Sequence, residues 1–505
     1  MIYKNIILVK RLLLFITYIS LIFQLTKINN YNEFISLITI ALINFITITY
    51  CFNNNFFKSP FSYLIVFVSN MSLYGFALYL KSIELESIFV NLNYPHKTFN
   101  LLSFFCLSIV FTHFIFINFF IENKLVIFLN KIINHKNYFI FDKKIFFLIT
   151  ILYLFLLFFI GSYTENVIKA DLPLWRDILN GYNFLYFAPL VIIYYLDDNK
   201  IRHIFLFFTL YLIFAMGFNS VSALFEPILI LLLIYFYELL HDRIKLTKKN
   251  VFNLFIFFLI SILLLNFLNS VAYNFYLERE NRYEKNFKEK IISFKNSLKN
   301  LNKAQQNYNL IKSNSYTAIL DEKYYKYAYL GRLNSIKIHD NFVYLNENLS
   351  KEEILLVKNF EYKKIASILP TPIIKIFNSE FKKNYDNQTV ASYAYSFIDS
   401  KISLFLATGS FVISIWIYYS FFSFFLIFFL GIFLFSLTHG IQTKNSSKIN
   451  LLLILYMFHL SGGFINLFVT PSLSKLLFIL MRYIPQMIIL YFFLIYVTNR
   501  FKIFK

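Results

Sequence analysis

Apolar runs of membrane-spanning length constrain this chain more than any other feature. Residues 145–163, 222–240 and 251–271 are predominantly apolar, and each has close to the roughly 20 residues a helix needs to cross a hydrocarbon core about 30 Å thick. Lipid offers no partner to backbone N–H and C=O groups, so such runs are stable there as helices. The full set of candidate spans is 6–25, 34–51, 61–80, 101–121, 145–163, 183–196, 203–217, 222–240, 251–271, 409–437, 451–469 and 475–497. The predicted fold is an all-α polytopic integral membrane protein with about 12 transmembrane helices. Residues 404–437 run without a charged break. Two helices with a tight turn at 418–422 fit that length, but no Gly, Pro or charge marks a turn there. One long, tilted helix starting near Gly409 is expected instead.

Between the ninth and tenth spans stands the main interruption. The chain divides into an N-terminal bundle of about nine helices (1–272), a large polar loop (273–400) and about three C-terminal helices (401–505). Within the loop, Phe287, Ile291, Phe294, Leu298 and Leu301 recur at spacings of four and three, which predicts an amphipathic helix over 284–310. A shorter helix is expected over 351–360, and the apolar segment 366–377, with Pro370 and Pro372, suits the membrane interface.

Charge orients the bundle. The chain carries a net charge of +21 although only 15% of its residues are charged. In a soluble protein that excess would suggest nucleic acid. Here the cations fill short connections: Lys124, Lys131, Lys136, Lys143 and Lys144 in one, Lys200 and Arg202 in another, Arg243, Lys245, Lys248 and Lys249 in a third. If the helices alternate, all three fall on the side of the N terminus, with the Arg500, Lys502 and Lys505 tail. The positive-inside bias makes that side cytoplasmic. Both termini are then cytoplasmic, the number of crossings is even, the 273–400 loop is extracytoplasmic, and nucleic acid is not a partner. Lys4, Lys10 and Arg11 precede the first apolar run without an Ala-x-Ala-like cleavage site, so that run is read as a retained helix. Cys51 and Cys106 both lie in apolar runs and make neither a disulfide framework nor a zinc or redox pattern. The abundance of Phe, Ile, Asn, Lys and Tyr fits an AT-rich bacterial genome, and hence a bacterial cytoplasmic (inner) membrane.

Motifs of nucleotide-driven or hydrolytic chemistry are missing. The sequence holds no GxxxxGK[ST], no GxGxxG after a strand, no HExxH and no GxSxG. This argues against an ATP-driven pump or a metalloprotease. Polar groups gather in two external loops: 164–182, with Glu165, Lys169, Asp171, Trp175, Arg176 and Asp177, and the large loop, with Arg332, His339 and Asp340. Each also has a structural reading. Arg332 among many lysines can be a solvated or paired cation, and Trp175 with Arg176 can be an interfacial anchor. His339 and Asp340, adjacent in sequence, need not face one another. Glu226 opens an apolar helix, where an ionisable group is costly, or caps it beside Pro227. His113 and His459 are expected as hydrogen-bonded core residues. Tyr324, Tyr325, Tyr327 and Tyr329 can stack sugars or pack the loop onto the membrane.

Four segments carry a family resemblance. The run from Gly217 through Asn219 to Glu226 and Pro227, the triplet Leu330-Gly331-Arg332, the stretch Ile368-Leu369-Pro370-Thr371-Pro372 and the run Ala407-Thr408-Gly409-Ser410 occur in that order. Together, over about 215–440, they resemble bacterial oligosaccharide repeat-unit polymerases (the O-antigen polymerase, Wzy-type family). The chain departs from that pattern in lacking an Arg near residues 219–222 and in placing Thr371 where a basic residue is common. The resemblance implies a membrane glycosyltransferase. It would move a growing glycan from a polyprenyl-pyrophosphate-linked oligosaccharide to the sugar hydroxyl of another lipid-linked unit, building O-antigen or capsule without metal or cofactor. Chain-length regulator and flippase proteins are the partners it implies. A departing diphosphate calls for fixed cations, and Arg grips phosphate oxygens bidentately. The implied catalytic residues are Arg332, His339, Asp340 and Glu226, with His339, Asp340 or Asp171 as general base. The implied substrate-binding residues are Arg176, Lys169, Asp171 and Trp175. An O-antigen-type ligase would use the same donor. A polysaccharide flippase or secondary transporter is a further alternative, opposed by the nine-to-three split of the spans and the scarcity of mid-helix charge.

Overall fold

The computed structural model describes residues 4–134, 151–153, 234–241, 334–369, 389–398, 410–441 and 472–500, with Glu289, Ile292, Lys295, Tyr324, Tyr325, Lys375 and Ile376 between them. The elements over these residues are helical, with no strand among them. In chain order they are α1 (Lys4–Leu25), α2 (Tyr31–Cys51), α3 (Pro60–Asn70), α4 (Phe76–Ile83), α5 (Pro95–Ile115), α6 (Lys124–Asn134), α7 (Ile336–Asn348), α8 (Lys351–Ala366), α9 (Val390–Tyr395), α10 (Phe411–Tyr419), α11 (Phe422–Ile441), α12 (Leu473–Phe478) and α13 (Ile484–Arg500). π-helical turns at Met71–Gly75 and Ile479–Tyr483 join α3 to α4 and α12 to α13, and a third, Phe116–Phe120, extends α5. Among the described residues, six stretches are long and apolar enough to cross a membrane: Lys4–Leu25, Tyr31–Cys51, Pro60–Ile83, Pro95–Phe120, Phe422–Ile441 and Leu473–Phe493. The protein is a multi-pass helical membrane protein. The spans expected at 183–196, 203–217, 251–271 and 451–469, and most of those at 145–163 and 222–240, lie outside the described residues.

Local chemistry sets where these helices begin. Pro60 and Pro95 occupy the first turns of α3 and α5, where a missing N–H costs no hydrogen bond. Asn30 caps α2 by accepting from the Glu33 amide at 2.8 Å. Ser350 and Glu353 form a reciprocal capping box at the start of α8. Large apolar side chains on the outer faces, such as Phe15 at 63% and Phe429 at 67% exposure, are suited to contact with lipid. Between helices lipid supplies no hydrophobic drive, so association relies on close packing at small residues. Gly440 of α11 illustrates this, since a Cβ there would fall 2.9 Å from Leu129 Cβ of α6.

Contacts separate the two ends of the bundle. Asn5 donates to the Leu239 carbonyl at 2.8 Å, and His439 Nδ1 lies 3.0 Å from Ser59 Oγ, so these residues share the end of the N terminus. At the other end Gln24 of α1 donates to the Glu86 carbonyl and accepts from the Ile88 amide, both at 2.9 Å. Inside the bundle His113 is a hydrogen-bonded core residue as expected, its ring 2.8 Å from both the Tyr50 and the Ser62 hydroxyls.

Two expectations are corrected. The single helix expected from Gly409 to residue 437 is broken at Ser420, whose φ of 47° reverses the chain between α10 and α11. A positive φ costs a non-glycine residue about 1–3 kcal/mol. Here Ser420 N–H is held by the Trp416 carbonyl at 2.8 Å, and Lys358 of α8 donates to the Tyr418 carbonyl at 2.9 Å. Tertiary contacts thus hold a turn that no Gly or Pro marks. With nine residues, α10 extends only about 14 Å, too short to cross. The polar stretch 273–400 is also not wholly outside the bundle. Ser335 N–H donates to the carbonyl of Ser72 at 3.1 Å, and Ser72 stands midway along the 24-residue span Pro60–Ile83. Segment 334–340 therefore enters the bundle interior, and its Asn, Ser, Lys, His and Asp side chains are buried.

The Gly440 contact yields a direct test. Gly440→Ala is expected to lower stability by about 1–3 kcal/mol, read as a drop in thermal midpoint of the detergent-purified protein. An unchanged midpoint would mean that α6 and α11 are less tightly apposed.

Candidate functional site

The polar stretch meets the bundle through buried side chains, and the first is Asp340. Helix α5 starts at Pro95 after Tyr94, whose side chain makes no cap. Its carboxylate cap comes instead from α7. Asp340 Oδ2 accepts from the Asn93 amide at 2.6 Å, and Oδ1 accepts from the Tyr94 amide at 2.8 Å and the Thr98 hydroxyl at 3.2 Å. An anion suits the partial positive charge at a helix start. Lys337 Nζ, 3.4 Å away, supplies a further cation.

His339 faces elsewhere. Its Nδ1 lies 2.7 Å from Ser410 Oγ and its Nε2 3.0 Å from Ser335 Oγ. Ser335 is the N-cap of α7 and Ser410 the N-cap of α10, so one imidazole ties two helix starts together. Burial holds its pKa down to about 3, leaving the ring neutral. Ser335 Oγ is also 3.4 Å from the Ser72 carbonyl. Donation in that direction assigns the ring proton to Nε2 and makes Ser410 the donor to Nδ1. Both ring nitrogens are engaged in this arrangement, and His339 and Asp340 serve different helices.

Two further clusters fix the stretch to the same end of the bundle. Lys81 is buried with Glu86 at 2.6 Å and Glu84 at 3.5 Å, and its ammonium sits 4.5 Å from the ring centre of Tyr324 and 5.5 Å from that of Tyr325. Tyr324 donates its hydroxyl to the Ile88 carbonyl. These two tyrosines pack the stretch onto the bundle; Tyr327 and Tyr329 lie outside the described residues. Glu361 of α8 caps the last span: its Oε1 accepts from the Leu473 amide at 2.7 Å and the Ser474 amide at 3.4 Å. Burial raises the Glu361 pKa to about 7, against the lowering effect of those amides.

Of the residues singled out from sequence, His339 and Asp340 are described, and both are buried at this junction. Arg332, Glu226, Arg176, Lys169, Asp171 and Trp175 lie outside the described residues. Sequence reasoning had missed Asn334, Ser335 and Glu361. A Ser followed by a helical pattern is a recognised cap signal, which could have marked Ser335. Glu361 sits in a Lys-rich helix and looks solvated until the start of α12 is placed against it. Ser410, the last residue of the run Ala407-Thr408-Gly409-Ser410, is the N-cap of α10. Comparison with protein-family models, curated proteins and solved structures finds no match to this chain.

Removing the Asp340 carboxylate leaves the Asn93 and Tyr94 amides at the start of α5, and the buried Thr98 hydroxyl, without this acceptor. Asp340→Ala is therefore expected to cost about 1–3 kcal/mol, measurable as a lower thermal midpoint with membrane insertion retained. Glu361 gives a pH signature. Its folded pKa of about 7 exceeds the ordinary 4.5, so across that interval the folded state keeps a proton the unfolded chain has lost. Its contribution is complete at low pH and declines as pH rises through the interval. The wild-type midpoint should fall relative to Glu361→Gln between pH 4.5 and 7. A constant difference between the two proteins would remove Glu361 as the titrating group.

Proposed function

We propose that this protein is a membrane glycosyltransferase that polymerises polyprenyl-pyrophosphate-linked oligosaccharide units into a surface polysaccharide outside a bacterial cytoplasmic membrane. One observation carries the reading. Two of the segments that resemble the repeat-unit polymerases, Leu330-Gly331-Arg332 and Ala407-Thr408-Gly409-Ser410, lead into helix starts that meet on His339, although His339 and Ser410 are 71 residues apart in sequence. Arg332 stands three residues before Ser335, which is hydrogen-bonded to the bundle interior. In this reading Arg332 and Arg176 neutralise the departing diphosphate with Lys169 in support. Asp171 is the general base, because His339 and Asp340 already have structural partners. The spare apolar surface of the bundle accommodates the lipid tail.

Arg332→Ala should abolish polymer and accumulate single lipid-linked units while the protein remains inserted. Normal chain length in that variant would eliminate Arg332 from the site. A ligase using the same donor would give the opposite pool, with long lipid-linked chains accumulating when it is lost.

A second reading is favoured by α10, a half-length helix that begins inside the bundle, as broken helices do in secondary transporters and flippases. Reconstituted protein separates the two: chain extension of lipid-linked units supports the enzyme, and translocation of a labelled unit without extension supports the transporter.

A further inference from the structure

We propose that the outer face of α6 is a docking surface for anionic phospholipid, in the leaflet at the N-terminal end of the bundle. In the sequence Lys124 and Lys131 belong to a charged connection after the span Pro95–Phe120. In the structure part of that connection is a helix, Lys124–Asn134. Asn123 fixes where it begins. Its Oδ1 caps α6 by accepting from the Val126 amide at 2.8 Å, and its Nδ2 donates to Ser436 Oγ of α11 at 2.5 Å. Six residues further on, Leu129 lies against Gly440 of the same neighbour.

That packing sets the depth of α6. Ser436 and Gly440 stand five residues and one residue before Ile441, where the α11 span ends, so α6 accompanies about the last 8 Å of that span. Ile127 and Phe128 lie between the two anchor points and are 56% and 59% exposed, whereas Val126 and Leu129 are buried. Just ahead of the helix, Phe119 is 76% exposed at the end of the span Pro95–Phe120. The outer face of α6 thus continues a surface suited to lipid, at the depth of roughly 5–10 Å where interfacial helices bury their apolar side chains.

Charge narrows the occupant. Lys124, Ile127, Phe128 and Lys131 fall within an arc of about 100° on the helix, so one cation stands at each end of the apolar pair. Both lysines are exposed and make no ion pair among the described residues. Helix α6 holds no Asp or Glu; the nearest in sequence, Glu122, precedes it. A positive-inside bias is met by a lysine anywhere in the connection and gives no reason for the exposed Ile127 and Phe128. Lysine stems lie along apolar surface while the ammonium reaches outward, here to the headgroups. An anionic headgroup is the complement of two such ammonium groups, and a zwitterionic one brings a competing cation of its own. Pairing with α6 of a second copy would instead gather four lysines with no acid on either helix to offset them.

Fluorescence quenching tests the proposal. Full-length Ile127→Cys protein is labelled with bimane, the native Cys51 and Cys106 being buried. It is placed in phosphatidylcholine nanodiscs carrying equal mole fractions of brominated phosphatidylglycerol or brominated phosphatidylcholine. Both lipids should quench, the anionic one more strongly by about twofold or more, and added salt should shrink that preference. Lys124→Gln with Lys131→Gln should remove the preference and keep the quenching; Lys124→Arg with Lys131→Arg should keep both. If the label at 127 disturbs the protein, Phe128→Cys reports from the same face. The proposal falls if neither lipid quenches, an outcome that light scattering from a dimer would assign to a second copy. It falls equally if the two lipids quench alike with both lysines present, or if the Gln pair retains the preference.

Discussion

A helix that starts inside a protein exposes amides that its own turns cannot satisfy, and in a low-dielectric interior each such group must find an acceptor. Much of the described architecture follows from how the polar stretch answers this need. Asp340 accepts from the amides at the start of α5, and Glu361 accepts from those at the start of α12. A carboxylate from one element thus caps a membrane helix distant in sequence, joining the two parts of the chain. The apolar spans alone would have no reason to select this partner, because lipid-facing and helix-facing apolar surfaces are energetically similar.

The same logic explains the irregular backbone at mid-depth. The Met71–Gly75 π turn lies in the innermost region of the bundle, and the Ser72 carbonyl within it accepts from Ser335. Such turns interrupt the regular ladder of an α-helix. Ser335, His339 and Ser410 then form a compact polar knot between α7 and α10. Its members have their hydrogen bonds, so it is affordable at a depth where isolated polar groups are not. This arrangement joins the starts of α7 and α10 through one imidazole.

Much of the scaffold was legible in the chain. Spans at 6–25, 34–51, 61–80 and 101–121 correspond to described helices, and the helix expected at 351–360 extends to Ala366. These succeeded because length and apolar character report directly on what lipid tolerates, and because the Ser350 and Glu353 capping box is local. The Ser420 break was not legible. Its site was visible as a length problem in 404–437, but the residues around it are as apolar as a helix interior. The turn depends on Lys358 and on packing against α8, neither of which is local in sequence. Tyr324 and Tyr325 could have been a sugar platform or a packing element, and only Lys81 beneath them decides for packing.

By itself the sequence determined that this is a helical membrane protein with a polar insertion, since bilayer thickness and backbone satisfaction act on composition and run length alone. Only the tertiary structure decided where that insertion goes: Asn334 to Asp340 inside the bundle, with His339 on two serine caps and Asp340 on α5. The reason is physical. A hydrogen bond between residues far apart in the chain leaves no periodic trace, and an Asp or His reads the same whether water or a helix start receives it.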